Sequence, residues 1–329
     1  MRIPFLQLKA EFERVLLSLD FAPVTADRCA IIFAENSKDG VYTHGLNRFP
    51  VFVQHVKEGL VKPGHEPTME GGWGAVEQWN GNYGIGMLNA VFCMERAIEL
   101  ANKNGISCLA IKNTNHWMRG GTYGWQAANA GCISICFTNT IANLPPWGGL
   151  DPRLGNNPLV IAIPRKNGHV VLDMAMSQYA VGKLQLFKAN NEALPFPGGY
   201  DSDGNLSTDA NAILQSKRLL PIGLWKGSGL SLVLDLLATV LSGGNSTAKI
   251  TNSGAESGIS QVFICIKPNS DEQIAAMIEE IIAFTRTSTP VHESETISYP
   301  GENTLKTRVK SLKEGVLVDE RIWNVVIGL

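Results

Sequence analysis

Apolar residues recur at helical spacing at both ends of the chain, whereas short apolar runs bounded by turn residues fill its middle. The first sixty residues predict three helices: residues 6–19, a second from an N-cap at Thr25 to about Gly40, and a third after Arg48-Phe-Pro50. The segment 62–67 interrupts this helical region with two prolines and a glycine. The tail after Pro290 is polar and then helical again.

The middle of the chain alternates between predicted strands and helices. The strand candidates are residues 106–111, 132–138, 159–163, 170–174 and 259–266. The helix candidates are residues 86–102, 122–130, 229–241 and 270–285, and residues 112–121 and 195–209 are predicted loops. This alternation predicts an α/β fold over residues 71–289. Residues 1–70 plus 290–329 are then expected to form a mostly helical domain from both chain ends.

The helix over 229–241 is apolar nearly all round apart from Asp235, so it is predicted to be buried and is too short to span a bilayer. Hydrophobic residues make up 44% of the chain, charged residues make up 18%, and the net charge is −2. These values indicate an ordinary globular protein without a nucleic-acid or membrane surface. Charges among the first residues argue against a signal peptide, which favours the cytoplasm. The six cysteines lie mostly in apolar segments and are predicted to be structural thiols, with no metal site.

Familiar nucleotide and hydrolase motifs are missing. The segment 84–89 comes nearest to the glycine fingerprint of dinucleotide-binding folds and lacks its third glycine. The sequence also has no P-loop, no nucleophile elbow and no His-Glu-x-x-His motif. Any nicotinamide cofactor must therefore bind on a different scaffold.

The first candidate site is the segment 42–48, with His44 in a glycine-flanked loop and Arg48 four residues later. A helical turn would bring both side chains to one face. Histidine can donate a proton to a carbonyl oxygen, and arginine can bind a carboxylate through two hydrogen bonds, so the pair suits an α-keto acid. A helix-capping histidine beside a solvated arginine is the alternative.

The second candidate is the glycine-tipped loop 113–121, which offers Asn115, His116 and Arg119 as donors. Its alternative is a hydrogen-bonded loop fixed by Trp117. The third is Lys226 at the start of a helix, where free amides attract phosphate. The fourth is Asp173, which ends an apolar strand and could equally serve as an N-cap.

Together these segments resemble the malate/L-lactate dehydrogenases that lack a Rossmann domain. The resemblance covers essentially the whole chain and rests on the segments 40–50, 113–116, 155–158, 172–175 and 225–227. Asn156 departs from the family pattern, which usually has threonine before Asn-Pro. The resemblance implies a mixed-sheet cofactor domain, a helical domain from both chain ends, a homodimer, and a nicotinamide cofactor in the cleft between the domains.

The resemblance also implies roles for individual residues. The position of His44 matches the family's proton donor. Cofactor contacts are implied for three segments, which contain His169, Val170, Val171, Leu172, Asp173, Met174 and Ala175, then Trp225 and Lys226, and finally Gly301, Glu302 and Asn303.

These observations predict an NADH-dependent reductase of a 2-oxo sugar acid, although NADPH stays open. In this hypothesis His44 protonates the forming alkoxide, Arg48 holds the carboxylate, and His116 orients the carbonyl. Malate, lactate, ureidoglycolate or a cyclic imino acid are alternative substrates. A sugar-acid binding protein without catalytic activity is the alternative of another class.

Overall fold

The computed structural model describes residues 1–269 and 272–329. The strands within these residues are β1 (Arg2–Ile3), β2 (Thr68–Trp73), β3 (Val76–Asn80), β4 (Ile106–Thr114), β5 (Ile133–Thr138), β6 (Ala142–Leu144), β7 (Leu154–Gly155), β8 (Leu159–Ile163), β9 (Val170–Met174), β10 (Gly199–Tyr200), β11 (Leu206–Ser207), β12 (Ile259–Ile266) and β13 (Val316–Leu317). The helices are α1 (Phe5–Leu17), α2 (Pro23–Lys38), α3 (Phe49–Lys57), α4 (Gly86–Asn104), α5 (Gly121–Asn129), α6 (Val181–Asn190), α7 (Ala210–Ser216), α8 (Trp225–Ser242), α9 (Thr247–Asn252), α10 (Glu272–Arg286), α11 (Glu302–Glu314) and α12 (Glu320–Ile327).

Seven strands form one mixed sheet in the order β2-β3-β4-β12-β5-β8-β9. Strands β3 and β4 are parallel, and the other neighbouring pairs are antiparallel. Strand β12 is mostly apolar, which suits its position in the middle of the sheet with both faces covered. Strand β9 lies at an edge. The predicted α/β fold with a mixed sheet is therefore confirmed.

Alternate side chains of the sheet pack against different helices. Leu109 and Phe263 lie in a buried cluster with residues of α4 and α5. Ala110 and Val262, each one residue away in sequence, lie in another cluster with residues of α7 and α8. This alternation is the two-residue period of a strand, and it makes the sheet a rigid frame covered by helices on both faces.

A third buried cluster joins the two ends of the chain. Phe12, Phe33 and Phe49 pack with ring centroids 4.5 to 5.8 Å apart. The same cluster includes Trp323 and Val326 from α12. Strand β1 pairs with β13 in antiparallel register. The burial of these large rings fixes α2 and α3, and with them the turn that connects the two helices.

Several local predictions need correction. Helix α2 begins at Pro23 after Ala22, so Thr25 lies inside the helix and does not cap it. The hairpin β2–β3 and helices α6, α7 and α9 were not predicted, and the predicted loop 195–209 contains the short hairpin β10–β11. The predicted helix over 270–285 appears as α10 from Glu272, while residues 270 and 271 lie outside the described residues.

Helix α8 is not buried all round, contrary to the sequence prediction. Its inner face packs closely through small residues, and Ser231 donates a hydrogen bond to the carbonyl oxygen of Gly155 at 2.6 Å. Its outer face exposes an apolar surface, the α8 apolar face, formed by Leu230, Leu232, Val233, Leu236, Leu237 and Val240. The sequence could not distinguish the two faces because apolar residues occupy both. Over the described residues, none of the helices has the length and apolar character needed to cross a membrane.

Candidate active site

The turn that carries His44 is held by the end of α2. Two short 3₁₀ turns, Tyr42–His44 and Leu46–Arg48, are separated at Gly45. Asn36 donates a hydrogen bond to the carbonyl oxygen of His44 at 3.0 Å, and Leu46 N donates to Ser37 Oγ at 2.9 Å. The prediction that one helical turn joins His44 and Arg48 is therefore wrong, because the backbone changes direction at Gly45.

The loop after β4 brings His116 against His44. The two imidazole rings stack with centroids 5.7 Å apart and an angle of 19° between their planes. Met118 N donates a hydrogen bond to His116 Nδ1 at 2.9 Å. A neutral His116 therefore carries its proton on Nε2. Burial is the main cause that lowers the pKa of His116 well below its usual value, with Arg48 and His44 adding to the effect.

His44 is also neutral at pH 7. Burial, followed by the positive charges of Arg48 and Arg119, lowers the pKa of His44 to about 4. Thr43 Oγ1 lies 3.2 Å from His44 Nδ1, close enough for a hydrogen bond that orients the ring. The pair can thus offer one fixed N–H donor, on His116, beside one imidazole that can exchange a proton.

Arg48 faces a carboxylate that the sequence reasoning missed. Arg48 Nη2 lies 3.6 Å from Glu256 Oε2. Glu256 belongs to the segment between α9 and β12, and its neighbour Ser257 donates a hydrogen bond to Asn115 Oδ1 at 2.8 Å. Burial raises the pKa of Glu256, and Arg48 and the Ile141 N–H act against that rise. No motif marks Glu256, since its place in the site depends on long-range packing.

The other polar residues of the loop 113–121 have structural contacts. Asn115 donates to the carbonyl oxygens of Tyr83 and Gly84, both at 2.9 Å. Arg119 forms a buried ion pair with Asp39 at 2.7 Å. For Asn115 and Arg119 the structure therefore supports the alternative of a hydrogen-bonded loop, whereas His116 faces His44.

Two of the three predicted cofactor segments lie side by side at the sheet edge. Val171 N donates a hydrogen bond to the carbonyl oxygen of Pro300 at 2.9 Å. Gly301 has φ +97°, and a side chain there would meet Val171 N and His169 O at 3.1 and 3.2 Å. This close approach requires glycine. Residues 169–175 and 301–303 are thus brought together, with Val170, Leu172 and Met174 in β9, Ala175 directly after it, and Glu302 and Asn303 opening α11.

His169 and Asp173 both have partners within the protein. His169 Nδ1 accepts a hydrogen bond from Arg165 N at 3.0 Å, and Nε2 lies 2.9 Å from Asn129 Oδ1. Asp173 accepts a hydrogen bond from Gly121 N at 2.8 Å, so it caps α5 across space instead of capping a helix that follows it. Burial raises the pKa of Asp173.

The third predicted segment, Trp225 and Lys226, opens α8 and is exposed to solvent. The residues just before it run along the residues just after β9, because Gln178 N donates to Leu220 O at 2.7 Å and Ile222 N donates to Met176 O at 2.8 Å. Further along the chain after β9, Gly182 of α6 packs against Thr43, next to His44. The segment that follows β9 therefore borders both the start of α8 and the turn that carries His44.

Comparisons with known proteins agree with this architecture. Residues 3–326 match the family described as malate/L-lactate dehydrogenase. The chain is 44% identical to a 2,3-diketo-L-gulonate reductase from Citrobacter koseri and 43% identical to one from Escherichia coli, with full coverage of both proteins. The sulfolactate dehydrogenase from Methanocaldococcus jannaschii superposes with a TM-score of 0.90 at 27% identity, covering 100% of this chain and 98% of that one.

The likeness extends to a malate dehydrogenase from Pyrococcus horikoshii, with a TM-score of 0.90, 26% identity and coverage of 100% and 96%. The chain belongs to the malate/L-lactate dehydrogenase family. It is an oxidoreductase that acts on CH–OH or keto groups.

Proposed function

We propose that this protein is an NADH-dependent reductase of a 2-oxo sugar acid, with 2,3-diketo-L-gulonate reduced to 3-keto-L-gulonate as the favoured reaction. The observation that carries the proposal is the stacked pair of His44 and His116 beside Arg48. The full-length identity of 43–44% to 2,3-diketo-L-gulonate reductases supports the substrate class.

In the proposed mechanism Arg48 binds the substrate carboxylate with the free edge of its guanidinium group. The Nε2–H of His116 donates a hydrogen bond to the C2 carbonyl oxygen, where negative charge develops during reduction. His44 gives a proton to that oxygen and regains it from solvent. A substrate carboxylate beside Arg48 would offset part of the positive charge that lowers the pKa of His44, and this favours the protonated donor.

A nicotinamide cofactor would supply the hydride, and the chain offers suitable groups to hold it. We propose that it lies along residues 169–175 and 301–303, with Trp225 and Lys226 at its other end. The glycine conformation at Gly301 keeps the backbone beside β9 free of a side chain. Lys226 adds a positive charge at the exposed start of α8, where the positive end of the helix dipole also favours the phosphates.

We further propose a cytoplasmic homodimer with a helical domain from residues 1–70 plus 290–329 and a cofactor domain from residues 71–289. The α8 apolar face supports the dimer, since a surface with so many exposed aliphatic side chains is typical of an interface. All six cysteines are free, which suits a reducing compartment.

The function is tested by following NADH and NADPH oxidation with a panel of 2-oxo acids. The panel contains 2,3-diketo-L-gulonate, oxaloacetate and pyruvate, and a cyclic imino acid is assayed alongside it. We expect the highest kcat/KM with the sugar acid and NADH. Arg48→Lys should raise KM for every carboxylate substrate, because lysine keeps the charge but loses the planar fork. Substrate binding without any turnover would favour the non-catalytic alternative.

A further inference from the structure

The carboxylate of Glu256 lies beside Arg48, the arginine that is proposed to bind the substrate carboxylate. Only 19% of the Glu256 side chain is exposed, and the ion pair to Arg48 measures 3.6 Å, which is longer than a charge-assisted hydrogen bond. Arg48 therefore holds Glu256 loosely and keeps other N–H groups available. The neighbouring Ser257 ties this segment to the loop of His116.

Glu256 has hydrogen-bonding capacity that the described residues leave largely unused. A carboxylate has about four acceptor positions. Among the described residues, its contacts are the Arg48 ion pair and the Ile141 N–H. With only 19% of its side chain exposed, this carboxylate is poorly hydrated, so a ligand that donates hydrogen bonds to it would stabilise it.

A short 2-oxo acid such as pyruvate cannot stabilise Glu256 in this way. Such a ligand brings a carboxylate to Arg48 and no hydroxyl group, so two negative charges would share one guanidinium group. A polyhydroxylated acid brings the same carboxylate together with several O–H donors. Sites with buried polar groups discriminate strongly against ligands that leave those groups unpaired.

We propose that Glu256 is a specificity-determining residue that accepts hydrogen bonds from the hydroxyl groups of a polyhydroxylated 2-oxo acid bound at Arg48. The inference rests on the proposed function, and it assigns the selection of sugar acids over short 2-oxo acids to this one side chain.

The test compares kcat/KM for 2,3-diketo-L-gulonate and for pyruvate in the wild type and in Glu256→Gln. The amide preserves the shape of the side chain but weakens acceptance from hydroxyl groups. Since a hydrogen bond to a charged group contributes about 1.5–3 kcal/mol, the preference for the sugar acid should fall roughly ten- to a hundredfold. The rate with pyruvate should stay level or rise.

Glu293→Gln is the matched control, because Glu293 is exposed in the tail and the change should leave the preference intact. Equal losses with both substrates in Glu256→Gln would mean that Glu256 only positions Arg48, and an unchanged preference would mean that it has no role. Either result overturns the proposal. Thermal melting of each variant checks the fold.

Calorimetric titration separates this inference from the proposed function. If the wild type reduces no 2-oxo acid, the proposed function fails, and the binding of L-gulonate against L-lactate then tests Glu256 directly. Tighter binding of L-gulonate that is lost in Glu256→Gln supports the specificity role. Equal binding of the two acids by the wild type overturns it.

Discussion

The imidazole rings of His44 and His116 stack with their centroids 5.7 Å apart. Two cations at this separation would repel each other, and burial also disfavours either charge. The Met118 N–H occupies one nitrogen of His116, which makes His116 a fixed donor in its neutral form. Of the two rings, His44 is the one suited to gain and lose a proton.

The rate of reduction should depend strongly on pH. With a pKa of about 4 for His44, only about one molecule in a thousand carries the proton at pH 7. In the proposed mechanism reduction needs the protonated form of His44, so kcat/KM for reduction should fall about tenfold for each pH unit between pH 5 and 8. Oxidation of the hydroxy acid needs the neutral form and should be independent of pH over this range. A reduction profile that is flat up to pH 7 would contradict this assignment.

Removal of His44 should affect chemistry and little else. We expect His44→Ala to lower kcat by about 10²- to 10⁴-fold, because a positioned proton donor contributes that much. The hydrogen bond from Asn36 reaches the His44 backbone, so the turn should persist and the melting temperature should change little. His292→Ala, in the exposed tail, is the control. Normal turnover by His44→Ala would exclude His44 as the donor.

Helices and strands that depend on a local pattern could be predicted from the sequence. The apolar run of β12 and the amphipathic repeat of α4 each identify one element without knowledge of its neighbours. Glu256 could not be found in this way, because its contact with Arg48 depends on the position of β12 in the middle of the sheet. The outer face of α8 was wrongly predicted to be buried, because apolar residues alone do not show whether the rest of the chain covers them.

The buried ion pairs of Asp39 also could not be predicted from the sequence, since its partners come from distant segments. Asp39 binds Arg119 at 2.7 Å and Arg308 at 2.7 and 2.8 Å, which ties α2, the loop after β4 and α11 together. Burial alone would raise the pKa of Asp39, but Arg308 and Arg119 outweigh burial and lower it.

Asp39→Ala should therefore destabilise the fold strongly. Loss of one partner from a buried ion pair costs about 3–5 kcal/mol, because it leaves the remaining charges uncompensated. The measurement is denaturant unfolding at pH 7. Asp151→Ala removes an exposed pair with Arg153 and should change stability by less than about 0.5 kcal/mol. The contribution of Asp39 to stability should be fully present above the normal pKa of aspartate. It should be lost as the pH falls through the lowered pKa that Asp39 has in the folded protein.

The α8 apolar face should mediate the proposed homodimer. Leu236→Glu combined with Val240→Glu places two charges on this surface, where the wild-type side chains are 54% and 73% exposed. Neither side chain supports the monomer core, so the variant should fold and yield a monomer in light scattering. Val24→Glu changes an equally exposed valine at the start of α2 and should leave the dimer intact. A double variant that stays dimeric would place the interface elsewhere.

Lys226 should contribute to cofactor binding in a chain that lacks a Rossmann motif. Helix α8 is fixed on its inner face, where Ser228 Oγ accepts from Trp147 N at 2.8 Å and Ser231 is fully buried. Its first turn is therefore a rigid end at which Lys226 and the positive end of the helix dipole can attract phosphate charge. A charge-assisted contact contributes about 1.5–3 kcal/mol.

Lys226→Ala should accordingly weaken NADH binding about ten- to a hundredfold, since ~1.4 kcal/mol corresponds to tenfold. At saturating NADH, kcat should change much less, because His44 and Arg48 are untouched. Calorimetric titration of NADH gives the dissociation constant, and Lys249→Ala in α9 controls for the loss of an exposed lysine. An unchanged dissociation constant in Lys226→Ala would mean that Lys226 is a solvated residue of the first turn, and that the phosphates of the cofactor bind elsewhere.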